Sequence, residues 1–375
     1  MANIEGFVAD KYEQVASVLS KSLDEGGDLG ASVCVIHRSE TVVDIWGGFA
    51  DEAKTNPWSS DTLVNVWSTT KTMTFLIALM LSGRGQLDFH APVARYWPEF
   101  ASNGKESVEV RHLMGHTAGL SGWSIPISAK DLADWDFCVN ALAEQEPWWQ
   151  PGSASGYHAL TQGYLIGELV RRITGTSIGQ FFKSEVADVL GADFHIGLAE
   201  SEERRVSLVV PPPALDFSQM PRDSISYRTF SSPVLDATMP HQRWWREAEI
   251  PAANGHGNAR SVAKIQQIIA NRGEADGHRF FSEDTADLIF ETQAHGVDLA
   301  LGGVIHFGMG YGLASSETPL GPRACYWGGY GGSVIIMDQD QQLTVAYMMN
   351  KMGGSLSADN RGVSIALQAA VAAMG

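Results

Sequence analysis

Apolar residues at Val8, Tyr12, Val15, Leu19 and Leu23 recur at intervals of three or four and predict an amphipathic helix across Phe7 to Leu23. The period then shortens. ASVCVIH (Ala31 to His37) and TVVDIWGGF (Thr41 to Phe49) are rich in β-branched and aromatic residues, and the polar Arg38-Ser39-Glu40 between them makes a hairpin. Near the other terminus, RACYWGG (Arg323 to Gly329), GSVIIMD (Gly332 to Asp338) and QLTVAYMMN (Gln342 to Asn350) read as successive strands, and Val363 to Met374 as a closing helix. Strands at both extremities, each with a helix beside them, predict an α/β (α+β) protein with one antiparallel sheet built from the two ends of the chain and covered by helices.

Between Ser68 and Ala253 helical patterns and loops dominate, with LTQGYLIGELVRRITG (Leu160 to Gly175) the clearest helix, ended by its glycine. The expected organisation is therefore a discontinuous α/β domain of residues 1–67 and 254–375, interrupted by a mainly helical domain at 68–253. Residues 211–257, first proline-rich and then aromatic, read as a long irregular loop of the kind that walls a pocket.

Composition narrows the partners. A chain of 375 residues with 44% hydrophobic and 18% charged positions can bury a full core. Its 43 acidic and 26 basic residues give a net charge of -17, which repels phosphate backbones and anionic lipid and argues against nucleic-acid or membrane partners. Cys34, Cys138 and Cys325 lack CxxC or zinc-ligand spacing and read as free thiols of a reducing compartment. MANIEGFVADKYEQV shows no signal-peptide pattern and no run is suited to spanning a bilayer, so a cytoplasmic location is expected; the pattern leaves the oligomeric state open.

The chemistry begins at Ser68-Thr69-Thr70-Lys71, an S-x-x-K pattern. The same spacing occurs at Ser102/Lys105, in a polar turn that reads as a solvated loop, and at Ser261/Lys264, where a serine N-cap and an exposed lysine account for it. Only Ser68 lies between a strand-like segment, LVNVW, and a helix apolar nearly all round, KTMTFLIALMLSG. Three residues apart on a helix, the two side chains share a face, and burial at a helix N-terminus lowers the lysine pKa toward that of a useful base. Gly175-Thr176-Ser177-Ile178-Gly179 also fits G-x-S-x-G, but it sits between two helices, where Ser177 reads as an N-cap. Tyr157 stands at a helix entrance after a Gly/Ser-rich loop, and Tyr326-Trp327-Gly328-Gly329-Tyr330-Gly331-Gly332-Ser333 is a strand stripped of side chains, as needed where a ligand lies along an edge. Trp123, Trp244 and Trp245 are candidate pocket walls or plain core; His158 and His256 read as structural.

Taken in order, STTK at Ser68, SGYHALT around Tyr157 and WGG at Trp327 resemble the active-site elements of the serine β-lactamase and penicillin-binding-protein superfamily, most closely its family VIII carboxylesterases, and RHLMGHTAGL and EIPAANGHGNARSVAKI resemble recurrent segments of that family. The resemblance implies a β-lactamase-like fold with the active site in the cleft between sheet and helices. It implies Ser68 as the acylated nucleophile, Lys71 and Tyr157 sharing general-base work, and an oxyanion hole from the backbone N–H groups of Ser68 and Tyr330. No metal or cofactor is implied.

Two departures bear on the substrate. Tyr157-His158-Ala159 replaces the Tyr-x-Asn of β-lactamases, and Trp327-Gly328-Gly329 replaces a Lys-Thr-Gly strand, exchanging a carboxylate-binding cation for an indole. The expected activity is hydrolysis of small, short-chain esters through an acyl-enzyme, with some β-lactam hydrolysis as a side activity. An acyltransferase, and a β-lactamase or peptidase-like penicillin-binding sensor, are the alternatives.

Overall fold

The computed structural model describes residues 3–375 except 215, 217–219, 355, 357 and 358. Nine strands form its main antiparallel sheet: β1 (Ile4–Val8), β2 (Gly30–His37), β3 (Glu40–Gly48), β4 (Ala294–Val297), β5 (Val304–Phe307), β6 (Gly312–Leu313), β7 (Ala324–Gly328), β8 (Val334–Asp338) and β9 (Leu343–Met349). Their spatial order is β1-β3-β2-β9-β8-β7-β6-β5-β4. The expected union of the two termini is thus made at β2 and β9, paired from Leu343↔His37 to Met349↔Ala31. Arg38 and Ser39, both with positive φ, turn the β2-β3 hairpin.

Helices α1 (Glu13–Asp24), α2 (Lys71–Gly83), α3 (Thr161–Thr174), α4 (Ala259–Ala270) and α5 (Asn360–Met374) supply the other layers. α1 and α5 cover one sheet face over a core that includes Tyr12, Val15, Leu19 and Tyr347. α4 packs on the opposite face, where a larger apolar cluster continues through α2 and α3. α3 ends, as its glycine predicts, at Gly175 with a left-handed backbone.

Two expectations need correction, and three strands were not foreseen. The first helix starts at Glu13, because Ile4–Val8 instead pairs with β3 as an edge strand. Strands β4 to β6 escape pattern reading: they are two to four residues long, and β4 is half exposed. The 211–257 segment is not irregular throughout, since it carries short helices at Ile225–Ser231 and Arg243–Glu247, too brief to show a period.

The alternative S-x-x-K pairs also differ from expectation. Lys105 is buried, not solvated, with Nζ donating to the carbonyls of Ser102 (2.7 Å) and Gln145, and burial pushes its pKa down to about 8. The N-cap of α4 is Asn258, which accepts from the Ser261 N–H at 2.9 Å and the Ser261 hydroxyl at 2.7 Å, while half-buried Lys264 pairs with Asp276 at 3.1 Å. Among the described residues, no helix is long and apolar enough to cross a membrane.

Candidate active site

Ser68 is delivered by a backbone held against its preference. Strand Leu63–Asn65 leads in, the Val66 N–H donates to the Gly255 carbonyl at 2.9 Å, and Trp67 adopts a left-handed conformation with φ 49°. For so bulky a residue this costs roughly 1–3 kcal/mol. Ring packing holds it: the Trp67 indole lies 5.5 Å from Trp245 and 5.4 Å from Tyr330. A single 3-10 turn, Trp67–Thr70, then runs into α2 and leaves Ser68 and Lys71 one turn apart.

α2 is buried from Lys71 to Leu81, including seven large apolar side chains. At about 1.5–3 kcal/mol each, their burial outweighs the cost of desolvating one amine. Lys71 Nζ donates to the carbonyls of Ala159 (2.7 Å) and Ala252 (3.0 Å) and lies 3.2 Å from Ser68 Oγ. Burial lowers its pKa well below the usual lysine value, favouring the neutral amine. A neutral amine has two N–H groups and one lone pair. Carbonyl oxygens only accept, so in the neutral form the two N–H groups face Ala159 and Ala252 and the lone pair is left for the Ser68 hydroxyl.

Tyr157 completes the cluster. Its O–H donates to Ser68 Oγ at 2.7 Å, and its ring centroid lies 4.8 Å from Lys71 Nζ. Burial raises the phenol pKa, and the nearby Asp298 carboxylate raises it further. Desolvation thus acts on both groups in the same sense, favouring the neutral amine at Lys71 and the protonated phenol at Tyr157.

Behind Tyr157 lies a carboxylate that pattern reading did not single out. Asp298, fully buried, accepts from the backbone N–H groups of Tyr157 (3.0 Å), Ala300 (2.9 Å) and Leu301 (2.8 Å) and from the Ser155 hydroxyl (2.6 Å). His116 was also missed, although RHLMGHTAGL contains it: its ring stacks on Trp327 at 5.7 Å and its Nδ1 accepts the His158 N–H at 3.0 Å. His158 donates from Nδ1 to the Gly156 carbonyl at 2.6 Å, and burial pushes it down to about 3, as burial does for His256.

The glycine-rich turn after β7 closes against the serine. The Gly329 N–H donates to the Ser333 carbonyl (2.9 Å), and the Ser333 hydroxyl donates to the Val66 carbonyl (2.9 Å). A Cβ on Gly329 would stand 2.4 Å from Val66 O and 3.3 Å from Ser68 N. Only glycine lets the turn carrying Tyr330 approach this closely. The Ser68 N–H, in the first turn of its helix, has no intrahelical acceptor.

A Beta-lactamase family model matches residues 15–370. The chain belongs to that family. Among its relatives, the Esterase/beta-lactamase LipL of Mycobacterium tuberculosis is 34% identical over 337 residues, spanning 86% of this chain and 77% of LipL. A solved family VIII carboxylesterase is 36% identical with a TM-score of 0.93, covering 99% of this chain and 100% of its own. A penicillin-binding-protein homologue from Caulobacter crescentus is 33% identical with a TM-score of 0.92, covering 99% and 100%. The β-lactamase-like fold expected from the motifs is the fold observed.

Within this member of the beta-lactamase family, Ser68, Lys71, Tyr157, Trp327, Gly328, Gly329 and Tyr330 come together around two cavities. One, of about 20 Å³, touches Ser68, Tyr157 and Tyr330. The other, of about 420 Å³, runs past Tyr157, Trp327 and Gly328. The other tryptophans expected as walls, Trp123, Trp244 and Trp245, line neither. Trp123 is core, its indole N–H donating to the Cys138 carbonyl at 3.1 Å; Trp245 is fully buried, donating to Asn65 at 2.9 Å; Trp244 packs on Trp245 at 5.9 Å. Large rings in an irregular stretch looked like pocket walls because sequence does not reveal which way they point. Ser177 is an N-cap, accepting the Gln180 N–H and donating to Glu249 at 2.6 Å.

Proposed function

We propose that this protein is a serine carboxylesterase that hydrolyses small, short-chain esters through an acyl-enzyme on Ser68. One observation carries the reading: a buried amine and a protonated phenol both contact the same hydroxyl, at 3.2 and 2.7 Å.

The steps follow from that arrangement. As Ser68 Oγ attacks the ester carbonyl, its proton passes to the lone pair of Lys71. The developing oxyanion is met by the backbone N–H groups of Ser68 and Tyr330, donors typically worth about 3–4 kcal/mol each. Tyr157 gives its proton to the departing alkoxide and recovers one from the Lys71 ammonium, so the alcohol leaves neutral and both groups return to their resting forms. Water then enters and gives its proton to Tyr157 as the Tyr157 proton passes to the lone pair of Lys71; the Lys71 ammonium returns that proton to Ser68 Oγ as its bond to the acyl carbon breaks, and the carboxylic acid leaves with Ser68, Lys71 and Tyr157 back in their resting forms.

Esters are favoured over β-lactams because, among the described residues, no lysine or arginine lines either cavity to pair with a substrate carboxylate. The esterase names of LipL and the family VIII neighbour support the same choice. The test is fluorophosphonate labelling with peptide mapping, alongside p-nitrophenyl acetate turnover. Label on Ser68, lost together with turnover in Ser68→Ala, is expected; label elsewhere, or full turnover by Ser68→Ala, overturns the assignment.

A further inference from the structure

The two cavities differ about twentyfold in volume, share Tyr157 and Leu356 as common walls, and are lined by different chemistry. Resting on the esterase reading, we propose that the small cavity receives the acyl part of the ester and the large groove its alcohol part, so that the substrates are acetate-sized esters of bulky, uncharged, apolar alcohols.

The assignment of sides follows from what each part must touch. After acylation the acyl group remains bonded to Ser68 with its oxygen toward the N–H groups of Ser68 and Tyr330. Both residues line the small cavity, and neither lines the groove. The alkoxide must leave beside its proton donor. Tyr157, which donates to Ser68 Oγ at 2.7 Å, is the one member of the cluster that also lines the groove.

Size then sets the preference. About 20 Å³, walled by Trp67, Leu160, Phe230, Leu235 and Ala253, is room for a group the size of one water or methyl. The groove, at about 420 Å³, holds a ring or branched chain. Its walls include Leu301, Val304, Ile305, Phe307 and Trp327, and among the described residues its polar side-chain groups are the hydroxyls of Tyr157, Thr318 and Tyr326 and the indole N–H of Trp327. A charged alcohol would lose its hydration there without gaining a partner. Gly328 removes a side chain from β7 where the alcohol passes.

The experiment compares two isomeric esters of similar intrinsic reactivity, cyclohexylmethyl acetate, with its ring on the alcohol, and methyl cyclohexylacetate, with its ring on the acid. The intact chain is expected to favour the first by tenfold or more in kcat/KM, about the discrimination a hydrophobic pocket gives. Val304→Trp, which fills the groove, should shrink that ratio, and Leu235→Ala, which enlarges the small cavity, should raise kcat/KM for the second ester. Equal or reversed preference in an enzyme that turns over p-nitrophenyl acetate overturns the partition and leaves the esterase reading standing. No turnover of p-nitrophenyl acetate overturns the esterase reading and the partition with it.

Discussion

The backbone N–H of Tyr157 is bound by a carboxylate 141 residues further along the chain, Oδ1 of Asp298, at 3.0 Å. Burial is the main cause that disfavours the Tyr157 phenolate, and the Asp298 charge adds to it. Asp298→Asn keeps an acceptor for the three N–H groups and offers its amide to the Ser155 hydroxyl, so the fold should survive while the charge is lost. The phenol pKa then falls, and the alkaline limb of the kcat/KM profile should move to lower pH. Asp298→Ala, which strands three buried N–H groups, should cost about 3 kcal/mol or more by denaturant unfolding.

Lys71 ties turnover to stability. Its folded pKa is lowered, so between that value and the unfolded value of about 10.4 the unfolded chain binds the extra proton, and stability rises with pH. Denaturant titrations at pH 7 and pH 9.5 should show this rise, up to about 1.4 kcal/mol per pH unit, and Lys71→Met should lack it. The same variant should lose about 10²–10⁴-fold in kcat, the range of a missing general base.

Gly329→Ala tests the oxyanion turn. Its new Cβ would meet Ser333 Oγ and Val66 O at 2.4 Å each, pushing the turn carrying Tyr330 away from Ser68. Losing one aligned donor should lower kcat by about 10²–10³-fold with p-nitrophenyl acetate. Near-normal kcat would remove Tyr330 from the oxyanion hole.

Ser177→Ala and Trp123→Phe bear on the residues placed outside the site. The first deletes a cap and the second an indole bond to Cys138, each worth about 1 kcal/mol of stability. Thermal melts should register both losses, and kcat/KM should change in neither.

What the sequence conveyed tracks how local each feature is. Ser68 and Lys71 were legible because three-residue spacing on a buried helix dictates their meeting. Helix α3 and strands β2, β3 and β7 to β9 were legible from strong periods closed by turn residues. The carbonyls of Ala159 and Ala252 that orient Lys71 were invisible, since any residue type supplies a carbonyl. Asp298 acts through backbone N–H groups, Ser333 through a carbonyl 267 positions away, and neither leaves a local pattern. Trp123 and Trp245 misled because burial depends on the tertiary surroundings, not on the aromatic stretch itself.

The junction of β2 with β9 has a consequence for biosynthesis. A chain emerging from the ribosome exposes the hairpin of residues 30–48 long before the neighbour that completes its inner edge, Leu343–Met349, has been made. Until then that edge is an open template for intermolecular pairing. A nascent chain cut short before residue 343 would lack the middle of its sheet and not a dispensable fringe, so termination just ahead of that strand should yield aggregate in place of a shortened enzyme.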